Sequence, residues 1–204
     1  MKKLYASKEF TQEIIHEGFE MYKNIKLNLD RLKSITFFAE TGLSEAQEQK
    51  FQFGIEILEN SSDAIQDYRK FGISKRNGLR QLKLYGLIQA MRMQENIIIE
   101  IYKVFDFYPP EIDTQLQELW DITVGQPLNS NNGVLCSSLD TFFDNYQVSY
   151  GQYDILQGKK MFDRVINYNQ IVLEHFKRVD SYLIGLIEEV VKKYPSRDID
   201  KYDF

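Results

Sequence analysis

The segment from Leu79 to Phe107 constrains the fold most, because its apolar residues recur at helical spacing on two faces. One stripe is Leu84, Ile88, Met91, Ile98, Tyr102 and Phe105; the other is Leu82, Met93, Ile97, Ile101 and Val104. A helix that is apolar on two sides belongs at the centre of a bundle. Gln89, Gln94 and Glu95 interrupt these stripes, and polar groups buried in such a helix need partners. The three are therefore candidates for an internal hydrogen-bond network. Pro109-Pro110 is expected to end the helix, since residues preceding proline avoid helical angles.

Three other segments supply the neighbours. Ile15, Phe19, Tyr22, Ile25, Leu29 and Leu32 share one face of a first helix that stops near Thr41-Gly42. Ser44 and Gln47 form a capping box that opens a second, with Phe51, Ile55, Leu58 and Ile65 facing inward. A short helix is expected over about 111–122. A long helix over about 155–193 carries a heptad seam from Phe162 to Val190, broken only by Asn169. That seam reads either as one helix of an intramolecular bundle or, in part, as a dimer interface. Between 132 and 153 the helical period vanishes, and the stretches 134–139 and 143–151 are rich in strand formers. The expected fold is a single, mostly all-α domain over residues 1–204: a bundle of four to five helices with a small β-hairpin insertion. Residues 196–204 form a charged tail expected to fray.

Composition narrows the function classes. Aromatic residues make up 14% of the chain and hydrophobic residues 43%, which disfavours disorder. The net charge of −5 disfavours a protein that coats nucleic acid without specificity. A single cysteine, Cys136, forbids an intrachain disulfide and fits a reducing compartment. No apolar run is long enough to span a bilayer, so a cytoplasmic protein with no membrane partner is expected.

Metal chemistry has little support. Glu13 and His16 make one Glu-x-x-His pair, but His175 follows Glu174 directly and supplies no second. Neither a metal nor a cofactor is expected. Both histidines read as ordinary surface or boundary residues. One charge cluster runs against the acidic balance: Arg69, Lys70, Lys75, Arg76, Arg80 and Lys83 occur with no acidic residue among them. Arg76, Arg80 and Lys83 share one face at a helix start, a candidate anion or nucleic-acid site. The alternative is a solvated connector with a charged helix start.

The stretch LKLYGLIQAMRMQENII (82–98) resembles a central helix of bacterial HEPN-like proteins, with Tyr85-Gly86, Gln89-Ala90 and Gln94-Glu95-Asn96 at matching spacing. About twenty residues on, such proteins carry a leucine, then Arg-Asn, then Gly-His-Pro. This chain has Leu119, Trp120-Asp121, three apolar or small residues, then Gly125-Gln126-Pro127. The resemblance covers about 80–190 and implies a helical bundle, a homodimer and a bacterial defence or toxin–antitoxin setting. It also implies an Arg and His pair for metal-free RNA cleavage, where this chain has Trp120 and Gln126. Trp120 cannot neutralise a phosphate as a guanidinium does. Gln126 cannot shuttle a proton near neutral pH. Asp121 adds a negative charge where Asn is usual. The expectation is a non-catalytic binding or interaction module with a protein partner, RNA or a nucleotide being the other candidate ligand. Two alternatives stay open: a divergent ribonuclease or nucleotide-processing enzyme, and a helical interaction domain unrelated to HEPN.

Overall fold

The structure is a computed structural model that describes residues 8–38, 41–71, 77–111, 114–120, 135–142, 147–154 and 159–194. Among these, four long helices and one short one form the bundle: α1 (Lys8–Phe38), α2 (Glu45–Phe71), α3 (Asn77–Val104), α4 (Thr114–Trp120) and α5 (Tyr168–Lys193). Strands β1 (Leu135–Phe142), β2 (Gln147–Asp154) and β3 (Lys159–Asn167) lie between α4 and α5.

The capping box sets the start of α2. The Ser44 backbone N–H donates to Gln47 Oε1 at 3.0 Å, and the Gln47 N–H donates to Ser44 Oγ at 3.4 Å. The Gln47 amide then donates to the Val104 carbonyl at 3.0 Å, fixing the first turn of α2 against the last turn of α3. Just before it, Gly42 takes φ +62°, a backbone conformation that costs glycine little.

α3 ends earlier than the proline pair suggests. Phe107 N–H donates to the Tyr102 carbonyl at 3.0 Å and Asp106 N–H to the Lys103 carbonyl at 3.2 Å. That pairing is a Schellman cap, with Asp106 at φ 58° in the place glycine usually fills.

Cross-helix contacts give the topology. Arg69 reaches Ile14, Asp63 reaches Lys26 and Glu59 reaches Lys33, so α1 and α2 are antiparallel. Ser62 meets Gln94 and Lys50 meets Glu100, so α2 and α3 are antiparallel. Gln94 meets His175, Tyr102 meets Tyr182 and the Phe105 carbonyl meets Lys193, so α3 and α5 run parallel. A parallel pair requires the chain to return along the bundle between them. The return begins with Glu111, whose carbonyl accepts from Tyr182 Oη at 3.1 Å, and continues through α4 to Trp120 beside Gln89.

The strand region is a three-stranded antiparallel meander in the order β1-β2-β3, one strand more than a hairpin. Cys136 pairs with Tyr153 across β1 and β2, and Val148 with Ile166 across β2 and β3. The long helix expected over 155–193 is correspondingly shorter. Phe162 and Val165, which fit the first steps of its heptad seam, lie on β3. The change of conformation comes at Asn167, whose side chain accepts from the N–H groups of Asn169 and Gln170 and so caps α5.

The core lies where α1, α2, α3 and α5 meet. Val172, Phe176, Val179, Leu183, Leu186 and Val190 of α5 are all buried, each worth about 1.5–3 kcal/mol of transfer free energy. The seam is thus consumed within the chain. The first α3 stripe is also buried throughout, but the second is not: Ile101 and Val104 are inside, whereas Leu82 is 67% exposed and Met93 38%. No helix among the described residues is long and apolar enough to cross a membrane.

Candidate functional site

α4 is seven residues long and is held by Leu116 and Leu119, both buried against α3. Their spacing leaves Trp120, the last residue of the helix, half-buried at the edge of the core. Its indole N–H donates to Gln89 Oε1 at 3.0 Å. Two residues singled out from the sequence for separate reasons, Gln89 on the polar step and Trp120 on the degenerate motif, are thereby brought together. The other two motif positions, Asp121 and Gln126, lie outside the described residues, as do Gly125, Pro127 and Gly133.

Gln94 lies deeper and has different partners. It is fully buried, and its amide nitrogen donates to Ser62 Oγ at 2.7 Å and to the Leu58 carbonyl at 3.4 Å. Ser62 Oγ in turn donates to the same Leu58 carbonyl at 2.7 Å. With its nitrogen so committed, Gln94 turns Oε1 toward His175 Nε2, 2.8 Å away. The carbonyl oxygen can only accept, so the arrangement assigns the imidazole proton to Nε2. His175 Nδ1 is then an acceptor, with no hydrogen-bond partner among the described residues. Desolvation pushes the His175 pKa from its ordinary 6.5 down to about 3, with the Arg178 charge adding to the effect. A neutral imidazole sealed in this way ties α2, α3 and α5 in one register. It has no route to exchange protons with a ligand at the surface.

Gln89, Gln94 and Glu95 are therefore placed in three surroundings. Glu95 is buried with Arg92 Nη1 3.4 Å from its Oε2, Gln94 belongs to the Ser62–His175 cluster, and Gln89 is exposed beside Trp120. Asn169, the polar residue of the seam, is buried near the start of α5 and its Nδ2 has no hydrogen-bond partner among the described residues.

The basic cluster also divides. Arg69 is buried: its guanidinium lies over Gly18 and donates to the carbonyls of Ile14 at 3.0 Å and Ile15 at 2.9 Å, and to Gln66 Oε1 at 3.1 Å. It clamps α2 to α1 and offers nothing to an external anion. Arg76 lies outside the described residues, Arg80 sits in the first turn of α3 with its side chain outside them, and Lys83 is half-buried on α3.

Ser62 and His175 were not singled out as site residues by the sequence. Their one signal is position: Ser62 lies four residues past Leu58, and His175 is three past Val172, at the edge of each buried stripe. His16, by contrast, is exposed on α1. Among the described residues no group of three or more His, Cys, Asp or Glu side chains is placed to hold a metal ion. Compared with known families, curated proteins and solved structures, the chain matches none.

Proposed function

We propose that the chain is a non-catalytic, HEPN-like helical module that binds a protein partner. The observation that carries this reading is the Trp120–Gln89 hydrogen bond. At the position where the HEPN resemblance expects a phosphate-binding arginine, this chain has an indole that fastens α4 to α3. The neutral, enclosed His175 supports the same reading, since the interior histidine is used for helix register. The resemblance adds a bacterial defence or toxin–antitoxin setting and a homodimer. The α5 seam is consumed in the bundle, so a homodimer would pair through another face; light scattering at several concentrations tests it.

The functional experiment is incubation of the purified protein with single-stranded and hairpin RNA. The expected result is intact RNA. Cleavage that disappears on Gln126→Ala or Asp121→Ala would overturn the reading in favour of a divergent ribonuclease.

A further inference from the structure

A groove of about 610 Å³ runs between the second half of α1 and the first half of α2. Its floor is apolar: Leu43, Phe51 and Ile55. Phe51 is braced from below by an edge-on contact with Phe105, centroids 5.5 Å apart, so the floor is continuous with the core. The rim is acidic. Glu48, Glu56 and Glu59 line it against a single cation, Lys33.

Lys33 does not balance the rim. Its ammonium pairs with Glu59 at 2.6 Å and lies 3.8 Å from Asp30. Glu48 and Glu56 are exposed and make no ion pair among the described residues. Glu48, Gln52, Ile55 and Glu59 follow one another at four, three and four residues, so apolar floor and acidic rim run side by side along one helix. The backbone adds to the same sign. The groove lies at the C-terminal end of α1, where the helix dipole is negative, and the last turn of α1 carries no basic residue to offset it.

We propose that this groove is the docking site for a basic amphipathic segment of a partner protein. Apolar side chains of that segment cover Phe51 and Ile55, while its lysines or arginines pair with Glu48 and Glu56. A helix laid in a groove recognises its target in this way, through anchors at helical spacing flanked by complementary charge. The inference rests on the reading of the chain as an interaction module and names the chemistry of the partner.

The test uses a fluorescein-labelled, 14-residue helical peptide of leucine and lysine, with a leucine–glutamate peptide of equal length as control. Binding is followed by anisotropy. The full chain is expected to bind the lysine peptide, more weakly at higher salt, and not the glutamate peptide. Each exposed ion pair contributes up to about 1 kcal/mol, so E48Q with E56Q is expected to weaken binding about ten-fold. The pair E188Q with E189Q removes the same charge from exposed positions on α5 and is expected to leave affinity within about two-fold. Thermal melts of both variants confirm that each is folded. Absence of binding by the parent chain, or equal weakening by both pairs, overturns the proposal, the latter because it reports net charge alone. Either result leaves the interaction-module reading standing. RNA cleavage dependent on Gln126 overturns that reading and leaves the groove's affinity untouched.

Discussion

Acid should unfold this protein through His175. In the unfolded chain its imidazole binds a proton with a pKa near 6.5; in the folded chain burial depresses that to about 3, with Arg178 opposing the proton further. Between those values the unfolded state holds more protons, so stability falls as the pH drops through 6.5 and is lost progressively down to about 3. Above 6.5 the full stability is present. Each unit of difference is worth 1.36 kcal/mol, so lowering the pH from 7 to 4 costs roughly 3 kcal/mol from this one group. That is a large part of a typical domain's stability of about 5–15 kcal/mol. The assay is urea denaturation at pH 7, 6, 5 and 4, comparing the parent chain with His175→Gln. Glutamine keeps a donor for Gln94 Oε1 and does not titrate. Carboxylates such as Asp180, whose pKa burial raises, contribute equally to both chains and cancel in the comparison. The parent is expected to lose roughly 3 kcal/mol more than the variant over that range. Equal losses in the two proteins would refute the burial of a neutral His175.

Three further substitutions test the bundle. Asp106→Gly relieves a left-handed residue in the Schellman cap of α3 and should raise stability by about 1 kcal/mol, read as a higher urea midpoint at unchanged slope. Gly18→Ala places a methyl where the Arg69 guanidinium lies; displacing its buried hydrogen bonds should cost about 1–3 kcal/mol, whereas Gly42→Ala should cost less because nothing lies near it. Gln94→Leu strands the His175 Nε2–H and should destabilise by about 1–3 kcal/mol, measured in the same way.

The sequence was most legible where a local rule and the tertiary structure agree. Ser44 and Gln47 announce the start of α2 because both halves of a capping box lie within four residues. The first stripe of α3 is buried as its spacing requires, since three long helices close around it. The start of α5 was harder. Phe162 and Val165 fit a heptad and a strand equally well, because large apolar and β-branched residues serve both. Asn167, with Gln170 three residues on, was the local signal for the boundary. The second α3 stripe misled at Leu82 and Met93: apolar spacing identifies a face but not whether anything covers it. Around Gln94 the polar step was visible, but its partners Ser62 and His175 lie 32 and 81 residues away, and no local pattern encodes such a meeting. Arg69 looked like part of a solvated basic run. Its role depends on Gly18, 51 residues earlier, leaving room for a guanidinium.

The most direct measurement is a double-mutant cycle on Trp120 and Gln89, since their bond is what assigns the motif position to structure. Trp120→Phe, Gln89→Leu and the pair together are compared by urea denaturation. A coupling of about 0.5–1.5 kcal/mol is expected, with the parent chain leaving RNA intact. Additive single effects, together with RNA cleavage by the parent that Trp120→Phe abolishes, would contradict it.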